Sequence, residues 1–407
     1  MKTARKPHLV LVSPFPDLSG IPSVYAFVRH LESRRIPVTI FVPGAPEQAL
    51  GKAADPERIR IFGQYPNWHP HGAWRLFSTE QYIRLFAWRQ QIRNGWTAMV
   101  VLNGLGLGNA QLLNRSLGLP VWYWSLEILF DDELAQDSGP FRRWRQFEKK
   151  HLAACAGGII QDRNKADAFR KENPEFAEKP MLLLPNSMAG GARREKKRLF
   201  HDQFNLPNQT RVALYTGSFS ASNLVDDIAL SVKSWPEGWV LVVHSRHSLK
   251  GDGNFLLATR LLQKVCPPGR VFFSPAPATP EELPAILDSA DLGLAFYGVD
   301  ESLVLSRRSN RLMGHSSGKV NSYVQAGLPV IVNDYTNMSE WVASSGCGKV
   351  VQRPDQIGAA IREMEGDLEG YSRRGIDFFN EHLRIDDRMK DVADRILEIR
   401  GEGGRGT

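Results

Sequence analysis

The feature that most constrains this chain is a spacing. Short apolar runs recur along it, separated by segments of helical periodicity, and the series runs twice. In the first half the runs are His8–Ser13, Val38–Val42, Ala98–Leu102, Val121–Ser125 and Gly158–Gln161. Each has strand length, and each is bounded on at least one side by Pro, Gly or Asn, so each reads as a strand buried on both faces. Between the first two, Pro22 suits the first position of a helix, and Val24, Phe27, Val28 and Leu31 recur on one helical face. Strands alternating with helices at this interval pair in parallel. The expectation is therefore a doubly wound α/β sheet.

The series restarts after LLLPNSM, Leu182–Met188. Val212–Tyr215, Trp239–Val243, Val271–Phe273, Leu292–Phe296 and Leu328–Val332 form the second set of strands. The segment 189–197, AGGARREKK, is small and charged and reads as a linker. The expected organisation is one Rossmann-like domain over 1–188 and a second over 198–379, facing a cleft. A last helix, about Asp386–Arg400, places Met389, Val392, Ala393 and Ile396 on one face.

Composition excludes several classes. Cys155, Cys266 and Cys347 are far apart, which argues against a disulfide framework or a zinc site and for reduced thiols in the cytoplasm. The basic start MKTARKP leads into a single strand-length run, too short for a signal-peptide core, and no run is long enough to span a membrane. The net charge of +7 favours anionic partners. With no nucleic-acid module in view, these are phosphorylated small molecules or anionic lipid.

The stretch Ser316–Asn333, SSGKVNSYVQAGLPVIVN, carries the chemistry. It reads as a loop, a helix start at Gly318-Lys319, and a buried strand. Unpaired N–H groups and the dipole at a helix start both favour an anion, and Lys319 beside them adds a cation. Ser316, Ser317, Gly318 and Lys319 fit a diphosphate; the bland reading of Lys319 is a solvated helix-start lysine. Gly217, Ser218 and Ser220 offer a second phosphate surface or a plain strand-to-helix turn. Arg246, after a strand in VVHSRH, suits a phosphate clamp or an ordinary surface position.

These elements in order resemble glycosyltransferases of the GT-B fold, family 4 and its relatives. SGIPSVYAFVRHLESRRIPVTIF resembles the family's opening unit, LLLPNS the end of the first domain, and ALYTGSFS the opening of the second. EELPAILDSADLGLAFY and SSGKVNSYVQAGLPVIVN resemble the segments that shape the donor site. The resemblance implies two Rossmann-like domains, donor in the second and acceptor in the first, with a terminal helix of about 380–400 packing back on the first. It adds Pro275 and Ser322 to the donor side and Gly20 to the acceptor side. Two departures stand out. The family's acidic pair falls at Gly314 and Ser322, and the Gly217 loop lacks the usual Arg and Lys.

In the first half, Glu127 follows the aromatic run Trp122-Tyr123-Trp124. Aromatic faces suit sugar rings and a carboxylate suits sugar hydroxyls, so Trp124 and Glu127 read as acceptor-binding, with Glu127 orienting or deprotonating a hydroxyl. The alternative is an acid at the start of a helix. Asn103, a further expected acceptor-binding residue, opens NGLGLGN, which reads as a loop that closes over the donor. His69 and His71 lack metal partners at useful spacing. Arg75–Arg93 mixes Arg75, Arg84, Arg89 and Arg93 with Tyr82, Phe86 and Trp88, a basic amphipathic pattern suited to the inner face of a membrane.

The resemblance implies transfer of a sugar from a nucleotide-diphosphate donor to a glycan or lipid-linked acceptor, with retention, in cell-surface polysaccharide or glycoconjugate synthesis. Glu127 and Lys319 are the expected catalytic residues. No DxD motif is evident, so no metal and no cofactor beyond the nucleotide sugar is expected. A non-catalytic sugar-nucleotide-binding subunit and a sugar-nucleotide epimerase remain alternatives.

Overall fold

A computed structural model describes residues 6–50, 55–68, 78–134, 139–219, 221–245, 259–260, 262–274, 278–300 and 304–398. Contacts divide the chain into two units, Met1–Pro185 with Ile385–Thr407, and Asn186–Arg384.

Unit 1 is built on seven strands: β1 Leu9–Val12, β2 Val38–Phe41, β3 Ile59–Phe62, β4 Ala98–Leu102, β5 Val121–Trp124, β6 Gly157–Ile160 and β7 Met181–Leu183. They lie in the order β3-β2-β1-β4-β5-β6-β7, and every pairing is parallel. The central strands are buried along their whole length, as their unbroken apolar sequences require. β3 has no apolar run of its own in the sequence. It is an edge strand, buried only at Ile59, so alternate positions need not be apolar.

The helix Pro22–Ser33 begins with proline at its first position and buries Val24, Phe27, Val28 and Leu31. The terminal helix Asp386–Ile396 buries Met389, Val392, Ala393 and Ile396, and its Asp394 pairs with Arg34 at 2.7 Å. That contact ties the last helix of the chain to the end of the first.

The NGLGLGN segment corrects a sequence expectation. It is the start of a helix, Asn103–Asn114, and not a loop. Gly104 and Gly108 serve packing against the helix Pro140–His151. A Cβ on Gly104 would overlap the Trp144 ring, and one on Gly108 would overlap the Phe147 ring. The close approach is fixed from the other side by buried Glu148, which accepts hydrogen bonds from Tyr123 Oη, Trp144 Nε1 (2.8 Å) and Arg145 (3.2 Å). Burial pushes the Glu148 carboxyl above its ordinary range, against the pull of these donors.

Unit 2 has six parallel strands: β8 Arg211–Gly217, β9 Trp239–Ser245, β10 Val271–Ser274, β11 Leu292–Ala295, β12 Val330–Asn333 and β13 Gly348–Val351, in the order β10-β9-β8-β11-β12-β13. Helices cover both faces of the sheet, giving two apolar layers. One is built around Val212, Leu214, Val320, Tyr323 and Val324. The other is built around Ala213, Tyr215, Ile228 and Ile361. Residues 189–197 are bound along this unit. Arg193 N–H donates to Gln325 O (2.9 Å), Lys197 N–H to Asp288 O (2.8 Å), and Arg194 to Ala290 O (2.7 Å).

Replacing Gly104 by alanine forces a methyl group into the Trp144 ring. Overpacking of this kind costs about 1–3 kcal/mol. Urea unfolding should register that loss in unit 1, and an unchanged midpoint would show that the two helices can separate freely.

Candidate functional site

In unit 2 the strand order turns between β8 and β11, adjacent strands whose connections run to opposite sides. In a doubly wound sheet a crevice opens there, beyond the C-terminal ends of the strands. β8 ends at Gly217, and Tyr297 lies two residues past the end of β11. The helix Gly318–Gln325 starts beside them, with the Ser317 hydroxyl accepting the Val320 N–H (3.3 Å) as its cap.

Lys319 occupies this crevice. Its ammonium stands 4.2 Å from the centre of the Tyr215 ring and 5.0 Å from that of Tyr297, and donates to Asn223 Oδ1 at 3.4 Å. Two π faces attract and orient a cation. The rings themselves are held. Tyr215 Oη donates to Ser218 O (2.8 Å), and the Tyr297 and Ser317 hydroxyls share a hydrogen bond (2.9 Å). The Asn333 amide grips the Tyr297 backbone twice, accepting its N–H (2.9 Å) and donating to its carbonyl (2.7 Å). Tyr323 Oη accepts the Thr216 N–H (2.7 Å) and donates to Leu294 O (3.3 Å), joining the ends of β8 and β11. Burial holds the Tyr215 and Tyr323 phenols well above the ordinary phenol range.

Gly217 is required here twice over. Its φ of 141° disfavours a side chain, and a Cβ would stand 3.2 Å from Lys319 Cε. The loop before the helix is braced by the PNS segment. Asn186 donates from its N–H to His315 O (2.9 Å), and Asn321 Nδ2 donates to Asn186 O (3.1 Å) and His315 O (2.9 Å). Ser316 Oγ and Asn321 Oδ1 are buried and have no protein partner. Buried polar atoms are normally bonded, so two unpartnered oxygens at the helix start mark a place where a ligand or water completes the set.

Gly217, Ser218, Ser316, Ser317, Gly318 and Lys319 are thus gathered by the fold. Ser322 lies one turn along the helix and lines a cavity of about 420 Å³ with Met188, Pro280, Leu283, Leu287 and Asp288. Ser220, Arg246 and Pro275 lie outside the described residues, as do His69, His71 and Arg75. Tyr215, Tyr297, Asn223 and Asn333 are additions from the structure. The tyrosines stand in the sequence inside ALYTG and LAFYG, but only the fold shows that their rings face one lysine.

In unit 1 Asn103 and Glu127 come together at the C-terminal ends of β4 and β5. Asn103 Oδ1 accepts the Leu126 N–H (2.8 Å), and Glu127 Oε2 lies 3.6 Å from Lys165 Nζ. The expected aromatic platform is not there: Trp122, Tyr123 and Trp124 are all buried, and Trp124 packs edge-on to Phe27 at 5.7 Å. Their faces serve the core because β5 is a central strand. Gly20 lies in the turn before the first helix. Lys165 and Gln161, absent from the sequence expectation, also reach this segment.

Residues 272–385 match the sequence model of the glucosyltransferase 3-like C-terminal domain. Among curated proteins no sequence match is found. Solved structures share the fold. WaaG, a glycosyltransferase involved in lipopolysaccharide biosynthesis, is 15% identical with a TM-score of 0.61, over 98% of this chain and 100% of WaaG. Sucrose-phosphate synthase from Thermosynechococcus elongatus is 13% identical with a TM-score of 0.67, over 97% and 99%. Anabaena HepE in complex with UDP and glucose is 11% identical with a TM-score of 0.69, over 96% and 100%. Two doubly wound parallel sheets of this topology are the GT-B fold, and the chain has that fold.

Lys319→Ala should weaken binding of a nucleoside diphosphate while leaving thermal unfolding unchanged. A charged hydrogen bond contributes about 1.5–3 kcal/mol, so affinity should fall about tenfold to 100-fold by calorimetry. Equal affinity in the variant would remove Lys319 from the site.

Proposed function

We propose that the chain is a glycosyltransferase that moves a sugar from a nucleotide-diphosphate donor to a glycan or lipid-linked acceptor. The observation that supports it most is the ammonium of Lys319, held over two tyrosine rings at a helix N-terminus in the crevice of unit 2. A departing diphosphate gathers negative charge as the bond to the sugar breaks. A preorganised cation and oriented N–H groups stabilise that charge more than they stabilise the bound donor. Glu127 acts on the acceptor in unit 1. The matched glucosyltransferase 3-like domain and the UDP complex of HepE support a nucleotide sugar as the donor class. The resemblance to family 4 supports retention and a place in polysaccharide or glycoconjugate synthesis.

A second reading, a sugar-nucleotide-binding subunit without activity of its own, rests on Gly314 and Ser322 standing where the family has its acidic pair. Turnover separates the two. Incubated with a panel of UDP-, GDP- and ADP-sugars, an enzyme releases a nucleoside diphosphate, whereas a binding subunit returns the donor intact. Metal dependence is a sharper check on the mechanism. With lysine and backbone N–H groups carrying the charge, the rate of release should be the same with and without EDTA. Loss of activity in EDTA and recovery with manganese or magnesium would overturn the metal-independent mechanism.

We further propose contact with anionic membrane through the helix Thr79–Asn94. Its aromatic residues divide between two faces. Phe86 packs inward against Phe62 (5.1 Å) and Trp68 (4.9 Å), so it is core and not an inserting residue. Trp88 and Ile92, one turn apart, are 55% and 65% exposed, with Arg84, Arg89 and Arg93 on the same helix. No helix among the described residues is long and apolar enough to cross a membrane. Each arginine near an anionic surface contributes about 1 kcal/mol, screened by salt. Sedimentation with phosphatidylserine vesicles should therefore be strong at low salt and weak at high salt, and lost in Arg84→Glu/Arg89→Glu. Equal sedimentation with neutral vesicles, or no effect of the charge reversals, would make this face ordinary solvated surface.

A further inference from the structure

Three consecutive residues at the end of β5 are gripped by polar side chains from three other elements. Gln161, one residue past β6, donates from Nε2 to Ser125 O (2.8 Å). Asn103, at the end of β4, accepts the Leu126 N–H on Oδ1 (2.8 Å). Lys165, in the helix Arg163–Glu172, donates from Nζ to Leu126 O (2.5 Å) and lies 3.6 Å from Glu127 Oε2. All three gripping residues are buried. The Glu127 side chain reaches solvent, with 32% of it exposed against 1% for Lys165.

From this geometry we infer that Lys165, together with Gln161 and Asn103, is a positioning residue that sets the Glu127 carboxylate for the acceptor hydroxyl. The inference rests on the glycosyltransferase reading and extends it to residues that do not touch substrate. Packing alone does not account for them. A buried ammonium carries a desolvation penalty of several kcal/mol, and an apolar side chain of similar length would fill the same space without it. Asn103 is strained as well, with φ at 54° in a non-glycine residue. Both amides have their orientation fixed, because a backbone N–H demands the oxygen of Asn103 and a backbone carbonyl demands the nitrogen of Gln161. Asn103 Nδ2 and Gln161 Oε1 are left buried and unpartnered. A fold accepts strain, a buried charge and unpartnered atoms together where a loop must hold one conformation.

In the transfer, the acceptor hydroxyl, oriented by a hydrogen bond to the Glu127 carboxylate, bonds through its oxygen to the anomeric carbon on the face the diphosphate leaves. The bond from that carbon to the diphosphate breaks, both electrons leave on the diphosphate, and the hydroxyl proton passes to a diphosphate oxygen. A carboxylate displaced by about 1 Å loses on the order of 100-fold in such a step, which is what a rigid loop prevents.

Two measurements test this. The first is hydrolysis of UDP-glucose, with water in place of the acceptor. Lys165→Met and Glu127→Gln should each lower kcat about tenfold to 100-fold with the donor KM within about twofold, and the double variant should be no slower than either alone. Unchanged kcat in Lys165→Met, or losses that multiply in the double variant, would overturn the inference. The second is hydrogen exchange over 125–127, which needs no turnover. Lys165→Met should speed it about tenfold while the rest of unit 1 keeps its protection. If the unmodified protein turns over no UDP-glucose, the exchange measurement still decides: unaltered exchange shows that Lys165 does not hold the loop. Should Lys165→Met fail to fold, Gln161→Leu removes the Ser125 bond without touching the ammonium, and the same kcat loss and faster exchange are expected on a smaller scale. No change in either would overturn the inference.

Discussion

The candidate site of unit 2 turns on one cation placed where two strands part. Lys319 is half-buried at the start of a helix, over Tyr215 from β8 and Tyr297 from the end of β11. The surrounding contacts hold those two strand ends and the helix start in register. Tyr323 links β8 to β11, Asn333 clamps the Tyr297 backbone, and Gly217 leaves room for the lysine side chain. Each contact is ordinary by itself. Together they hold a positive charge beside N–H groups that a helix leaves unpaired.

Parallel sheets make this economical. Every strand in both units runs the same way, so loops of like kind gather at one edge of each sheet. In unit 2 that edge carries Gly217, Tyr297 and the helix start. In unit 1 it carries Asn103, Ser125–Glu127 and Gln161, bonded to one another. Unit 1 thus presents a carboxylate on a braced loop and unit 2 a cation on a braced helix.

Much of this was legible in the sequence. The buried strands announced themselves because a strand covered on both faces must be apolar throughout, and the residues Ser316–Lys319 were recognisable from helix-start chemistry. β3 and β13 were not, because IRIF and GKVV are edge strands, mostly half-exposed, without a continuous apolar run. NGLGLGN read as a ligand loop because glycine serves both tight turns and close helix packing. Only the Trp144 and Phe147 rings against Gly104 and Gly108 separate the two. The tyrosine pair, Lys165 and Gln161 were invisible for another reason. Their roles depend on contacts between residues far apart in the chain, such as Lys165 with Leu126 and Lys319 with Tyr215.

The central claim for unit 2 is that it holds a nucleoside diphosphate through Lys319. The most direct measurement is thermal unfolding of the whole chain against UDP, GDP, ADP, CDP and dTDP. A ligand at 100 times its dissociation constant stabilises the native state by about 2.7 kcal/mol, on the order of 5–10 °C for a unit of this size. One of these diphosphates should raise the transition by that amount, and its nucleoside alone should raise it far less. If none shifts the transition, or if the nucleoside does as well as the diphosphate, the crevice at Lys319 is not a diphosphate site.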